Sequence, residues 1–242
     1  MKIYHNYNNF NNRIQTFKQN PNIAHSTSVK EYWTTTEFFR DDFDIDGLLN
    51  YANNFYKNTP KVNIISYACS TGKETYSIAL KLKINLKDKA NKFLPLISKD
   101  IDTNCILKAK RGRYKISDKE AEKLDYAGSI NLNRYIDTFD DGFEKYANIK
   151  DSLKKDVEFK HADICKDIDT VPRQNTILIC RNFWAYLQPQ KQIELANTIS
   201  NKLDKTSLIV IGSFEKAYGI DKLLETRGFK ETEIPCVMKK EK

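Results

Sequence analysis

The sequence has few of the residues that build metal centres. It contains three histidines, His5, His25 and His161, and five cysteines without a CxxC pair. Spacing of this kind supports neither a histidine-based metal site nor a zinc site. The odd-numbered, scattered set Cys69, Cys105, Cys165, Cys180 and Cys236 also provides no disulfide framework, which suits a reduced, cytoplasmic compartment. No apolar run approaches the length of a membrane span, and Met1-Lys2-Ile3-Tyr4-His5-Asn6 lacks the apolar core of a secretory signal. Membrane insertion is therefore not expected. What the chain carries in excess is positive charge, formally +8. That charge suits an acidic partner. The lysines are dispersed in a lysine- and asparagine-rich composition, and there is neither an aromatic-and-basic RNA motif nor an N/D-P-P-Y/F segment. An acidic protein surface is one candidate partner and nucleic acid a weaker one, while a biased genome composition accounts for the charge equally well.

With 242 residues, 40% of them hydrophobic, the chain can bury one substantial core. Residues 1–30 are polar and read as an arm or a short remnant helix, ahead of one domain over residues 31–242. Residues 43–56 place Phe43, Ile45, Leu48, Leu49, Ala52, Phe55 and Tyr56 at helical spacing, and Pro60 stops the run. Val62-Asn63-Ile64-Ile65 is a buried strand, and Tyr76, Ile78, Ala79, Leu80 and Leu82 follow as a helix with one apolar side. Leu94 to Asp100 is the next strand, and 104–112 a helix closed by Gly112. After an irregular stretch with a helix at 118–124, residues 133–139 and 143–149 form a hairpin about Asp140-Asp141-Gly142. A small antiparallel insertion over about 130–156 is the expectation. The strands at 157–164, 176–180 and 207–211 alternate with helices at 190–203 and 220–227, and residues 229–238 read as one edge strand. The fold class is α/β, a doubly wound Rossmann-like sheet.

Two junctions carry chemistry. At Ser66-Tyr67-Ala68-Cys69-Ser70-Thr71-Gly72-Lys73-Glu74 a buried strand turns into a helix through small residues. Such a turn lets a ligand approach the backbone and the free N–H groups of the helix start. At Leu96-Ile97-Ser98-Lys99-Asp100 an acid ends the next strand, where it can accept both hydroxyls of a ribose. Asp102 is the better cap for the helix that follows. Arg181 and Asn182, two polar residues after a five-residue apolar strand, extend the same carboxyl edge, where ligands of such sheets bind.

The wording of these segments resembles the CheR-type methyltransferases, which use S-adenosyl-L-methionine (SAM) to form methyl esters on glutamates of bacterial chemoreceptors. Cys69-Ser70-Thr71-Gly72-Lys73-Glu74-Thr75-Tyr76-Ser77-Ile78-Ala79 is similar to that family's first motif. Thr34-Thr35-Thr36-Glu37-Phe38-Phe39-Arg40, Asp100-Ile101-Asp102-Thr103, Cys180-Arg181-Asn182-Phe183-Trp184-Ala185-Tyr186 and, as a final strand, Ile211-Gly212-Ser213-Phe214-Glu215 match further blocks in the family's order. The resemblance runs from about Tyr32 to the C-terminus. It implies a SAM site formed by Thr34, Thr36, Arg40, Cys69, Gly72, Glu74, Asp100, Ile101, Asp163, Ile164, Arg181 and Asn182, with no metal. Within it, Glu74 would hold the amino group of the cofactor, Asp100 its ribose, and Ile101, Asp163 and Ile164 its adenine. Arg40 and Tyr186 would stand at the methyl-transfer channel. Lys73 and Thr75 depart from the family, which has an acid and a proline there. Asp163-Ile164 stands in place of an asparagine–leucine pair. Family members also carry a basic helical domain ahead of the catalytic one, for which residues 1–30 leave room only for a remnant. The implied reaction is methyl transfer to a glutamate carboxylate of an acidic protein, such as a chemoreceptor cytoplasmic helix, releasing S-adenosyl-L-homocysteine (SAH). Two alternatives stand beside it: a regulatory module that binds SAM or SAH without turnover, and a methyltransferase with another protein or small-molecule acceptor.

Overall fold

Alternation along the central strands decides which side chains face which layer. Ile64, Ile177 and Ile179 point into one apolar cluster, while Ile65, Tyr67, Leu178 and Cys180 point into a second on the opposite face. Both faces are therefore covered, as a parallel sheet requires. The computed structural model describes residues 36–127 and 132–241. These belong to one compact unit, Thr34–Lys242. The expected arm at residues 1–30 and the candidate Thr34 lie outside the described residues.

In chain order, helix α1 (Ile45–Phe55) leads to β1 (Asn63–Tyr67), α2 (Lys73–Lys81), β2 (Leu96–Asp100) and α3 (Thr103–Arg111). Next come β3 (Arg113–Ile116), α4 (Asp118–Ala127), β4 (Ile136–Asp140), β5 (Lys145–Ile149), α5 (Asp151–Lys154) and β6 (Val157–His161). The remainder is α6 (Ile164–Asp167), β7 (Thr176–Cys180), α7 (Pro189–Lys202), β8 (Leu208–Val210), α8 (Ser213–Ala217), α9 (Ile220–Glu225), β9 (Phe229–Glu231) and β10 (Val237–Lys240). The main sheet has seven strands in the order β6-β2-β1-β7-β8-β10-β9. Its first five are parallel, and β10 runs antiparallel to both β8 and β9. Strand order reverses between β1 and β7, which opens a crevice at their carboxyl ends.

Three expectations need correction. Residues 229–238 are not one strand: the chain turns between β9 and β10, with Cys236 at φ 65, and β10 inserts between β8 and β9. The small antiparallel sheet begins earlier than residue 130. Its order is β3-β5-β4, and β3 starts directly after Gly112 reverses the chain at φ 64. Tyr114 and Ile116 are buried while Arg113 and Lys115 are exposed, the alternation of a strand with one covered face. Finally, Ile211-Gly212-Ser213-Phe214-Glu215 is not a strand: β8 ends at Val210, and α8 starts at Ser213.

Candidate functional site

The carboxyl edge is built from backbone that L-residues seldom adopt. In the turn after β1, Ala68 and Ser70 have φ of 56 and 49, and Gly72 has φ 87. Asn182, just past β7, has φ 60. Such conformations cost of order 1–3 kcal/mol each and cluster where a fold holds groups for function. Gly72 is required twice over: a Cβ there would come within 2.8 Å of Phe159 Cζ and 2.9 Å of Ala109 Cβ. It caps α2, whose first N–H groups have no partner within the helix itself.

Asp100 fixes this turn from the neighbouring strand. Its Oδ2 accepts the Ser70 N–H at 2.7 Å and its Oδ1 the Asp102 N–H at 2.8 Å. Burial raises its pKa above the ordinary carboxylate value, and the Asp102 and Ser70 N–H groups offset part of that rise. Asp102 does cap α3, accepting the Asn104 N–H at 2.7 Å, which leaves Asp100 outside the helix cap. Beside it Ile101 is exposed, while Cys69 and Cys180 are buried thiols whose pKa is pushed up by burial. Asp163 caps α6 through the Cys165 N–H at 3.0 Å, and Ile164, the first residue of that helix, is buried.

Four charges meet across the strand order reversal. The Arg181 guanidinium, 2% exposed, pairs with Glu74 and lies 3.2 Å from Asp42 Oδ1. It also donates to the Asp42 carbonyl at 3.1 Å and sits 4.1 Å from the Phe43 ring centroid. Arg40 Nε donates to Asp42 Oδ1 at 3.0 Å. Burial alone would raise the Asp42 carboxyl, but the Arg40 hydrogen bond and the charges of Arg181 and Arg40 outweigh it and hold it below the usual range. Arg40, Asp42, Glu74 and Arg181 thus form a neutral quartet. Sequence reasoning missed Asp42 and Phe43. Their signal was the acidic pair Asp41-Asp42 directly behind the Phe-Phe-Arg run.

Past Arg181, Asn182 approaches Gly212, where a Cβ would fall 2.8 Å from Asn182 Oδ1 and 2.3 Å from Glu215 Oε2. Glu215 is a buried carboxyl that the sequence reading placed on a strand, and it accepts the Gly212 N–H at 3.0 Å. Burial raises its pKa, opposed by the N–H of Asn182 and the charge of Arg181. Three buried polar atoms here, Arg181 Nε, Asn182 Oδ1 and Glu215 Oε1, have no hydrogen-bond partner among the described residues. Trp184 locks the loop by donating from Nε1 to the Cys180 carbonyl at 3.0 Å. Tyr186, 54% exposed, ends that turn at the rim. Thr36 opens the described segment that leads to buried Phe38 and then to Arg40. An open concavity of about 400 Å³ flanks Arg40 on another side, between Phe39, Phe43, Lys81, Lys123 and Tyr126. Glu74, Asp100 and Arg181 do not line it, so it is distinct from the strand-edge crevice.

Unpartnered buried donors and acceptors beside a neutral charge quartet suit a zwitterionic ligand, whose ammonium and carboxylate can exchange into existing pairs. The buried acid at the end of β2 suits a ribose. The residues present therefore fit SAM. Comparison with known proteins agrees with that fit. The family described as CheR methyltransferase, SAM binding domain, matches residues 34–232. A chemotaxis protein methyltransferase of Borreliella burgdorferi is 26% identical over 191 residues, covering 76% of this chain and 65% of the relative. One from Escherichia coli is 26% identical over 193 residues, covering 80% and 64%. One from Salmonella typhimurium is 25% identical over 221 residues, covering 90% and 74%. The chain thus spans just under two thirds of the length of the first two relatives. Among the described residues no helix is long and apolar enough to cross a membrane.

Proposed function

The chain belongs to the CheR methyltransferase family, with the SAM-binding domain as the matched part, and from this premise we propose that it transfers a methyl group to a glutamate carboxylate of a protein. The observation that carries the reading is the quartet of Arg40, Asp42, Glu74 and Arg181 at the strand order reversal, with Asn182 following Arg181 and Asp100 ending the neighbouring strand β2. When bound, SAM would supply an electrophilic methyl group on its sulfonium. The chain's own residues have the task of placement. Glu74 would hold the ammonium end, Arg181 and Arg40 the carboxylate end, and Asp100 would accept from the ribose hydroxyls. Asn182 contributes its unpartnered amide oxygen, and Asp163 and Ile164 flank the adenine.

The acceptor needs no general base, because a glutamate is ionised at pH 7. The oxygen must be aligned and stripped of water, and alignment can supply roughly 7–11 kcal/mol of the barrier. Arg40 steadies the carboxylates from the apolar side formed by Phe39 and Phe43, and Tyr186 walls the approach at the rim. The acceptor is an acidic protein, a chemoreceptor cytoplasmic segment in keeping with the names of the relatives. The net charge of +8 favours such a partner. The same reading places the protein in the cytoplasm, which suits its five free cysteines.

Calorimetric titration with SAH tests the cofactor site, and transfer from methyl-labelled SAM to an acidic protein tests the reaction. Micromolar, one-site binding and label released as methanol by mild base are the expected results. Base-stable label would move the acceptor to nitrogen, and absence of SAH binding would remove the cofactor site altogether.

A further inference from the structure

Glu120 takes no part in the chemistry above, yet it is only 6% exposed and gathers three segments onto one carboxylate. Its Oε1 accepts the Phe38 N–H at 3.0 Å and the Lys73 ammonium at 2.7 Å. Its Oε2 accepts the Ser117 N–H at 3.1 Å. Burial would raise its pKa, but Lys73 and the Phe38 and Ser117 N–H groups hold it below the ordinary glutamate value. Phe38 lies two residues from Arg40, and Lys73 is the neighbour of Glu74. One side chain on α4 therefore touches the immediate surroundings of two members of the charge quartet.

Other contacts run in parallel. Lys123, one turn further along α4, donates to the Phe39 carbonyl at 2.8 Å, and Lys119 and Lys123 both pair with Asp41 at 2.6 Å. The Phe39 N–H donates to Ser77 Oγ on α2 at 3.0 Å, and Phe39 itself has φ 48. The Lys73 ammonium lies 5.6 Å from the Phe38 ring centroid and 5.8 Å from that of Tyr114. Tyr114, on β3, donates to the Thr71 carbonyl at 2.7 Å. The segment leading to Arg40 is thus held by α4, and the start of α2 by both α4 and β3.

We propose that Glu120 is a positioning residue of the methyl-transfer site, holding Arg40 and Glu74 in register through Phe38 and Lys73. The role rests on the function proposed above, since it presumes that Arg40 and Glu74 bind the cofactor. A displacement of about 1 Å at reacting groups can cost on the order of a hundredfold in rate, so a fixed carboxylate at this junction has consequences beyond stability.

The test is SAH titration on the wild type, Glu120→Ala, Glu120→Gln and Lys73→Met, each well below its own melting transition. Glu120→Ala should weaken SAH binding by at least about tenfold, the loss expected for a charged hydrogen bond. Glu120→Gln keeps an oxygen for the Phe38 N–H and should recover to within about threefold of wild type. Lys73→Met removes the ammonium that Glu120 Oε1 accepts and should weaken binding by at least about threefold, and it decides the matter should Glu120→Ala fail to fold. A purely structural Glu120 would lower melting temperatures and leave the affinity of folded variants at the wild-type value, and that result overturns the proposal. A wild type that does not bind SAH overturns the cofactor site and this role together. Binding by wild type with no difference among variants overturns the role of Glu120 alone.

Discussion

Replacing Arg181 with methionine removes the centre of the quartet and should be felt before any ligand is added. The guanidinium is 2% exposed, whereas its partners Glu74 and Asp42 are 16% and 31% exposed. Removing one partner of a buried ion pair typically costs about 3–5 kcal/mol, because the other charge is left without compensation. Asp42 would suffer less than that: it is partly hydrated and keeps the Arg40 bond at 3.0 Å. Glu74 would bear most of the loss, and the contact with Phe43 adds about 0.5–2 kcal/mol. The sum is a destabilisation of about 3 kcal/mol. For a domain of this size, each kcal/mol lowers the melting temperature by about 2–4 °C, which gives a drop of about 6–12 °C. Urea unfolding without cofactor measures the free energy, provided the slope of the transition is unchanged. The double variant Arg181→Met with Glu74→Gln removes both charges and should recover at least about 1 kcal/mol. A single-variant loss under about 1 kcal/mol, or a double variant that is simply additive, would refute the buried pairing.

Arg40→Ala should cut methyl transfer far more than it weakens SAH binding, and equal transfer rates in variant and wild type would remove Arg40 from the mechanism. Asp100→Asn should weaken SAH binding by about 1.5–3 kcal/mol in calorimetry, the usual worth of a charged hydrogen bond. Because burial raises the Asp100 pKa, the folded protein keeps that proton to a higher pH than the unfolded chain. Ionising it therefore costs stability as pH rises, while the ribose needs the ionised form. SAH affinity should fall on acidification toward this raised pKa in the wild type and stay flat in Asp100→Asn. Gly72→Ala should lower the melting temperature by an amount equivalent to about 1–3 kcal/mol, since φ 87 and the approach to Phe159 and Ala109 both oppose a methyl. An unchanged transition would mean that the turn relaxes freely.

Elements marked by a continuous apolar run or by one repeating period are legible from sequence. The strands β1, β2 and β7, the helices α1, α3 and α7, and the β4–β5 hairpin with its Asp140-Asp141-Gly142 turn all carry such a pattern, and the structure contains each of them. The short pieces were not legible. β3 is four residues, Arg113–Ile116, and its two buried side chains could as well have belonged to the end of the preceding helix. β9 is three residues, and the turn to β10 depends on the left-handed Cys236, for which no glycine gives notice. Candidate site residues at strand ends, Asp100 and Arg181, stood out because polar groups interrupt apolar strands. Asp42 and Glu120 did not. Glu120 meets Phe38 across 82 positions of sequence, and Arg181 meets the Asp42 backbone across 139, so no local pattern encodes either partnership.

Two positions at which the chain departs from the first motif of the family it resembles show how the surroundings absorb a change in the turn after β1. Lys73 stands where the family has an acid, which reverses the charge next to Glu74. The lysine is nevertheless matched by Glu120 at 2.7 Å and lies near two aromatic rings, so its charge is neutralised away from the crevice. Thr75 stands where the family has a proline. A proline in the first turn of a helix costs no hydrogen bond, because the N–H there has no partner within the helix. Replacing it with threonine therefore loses little from the backbone, and the new hydroxyl is buried and bonded to Ser98 Oγ of β2 at 3.0 Å. In both cases the substituted side chain finds its partner in the scaffold, on α4 or β2, while Glu74 between them keeps its pairing with Arg181. Glu74 has no such latitude: a neutral residue there would leave the buried Arg181 guanidinium with only the half-shared Asp42.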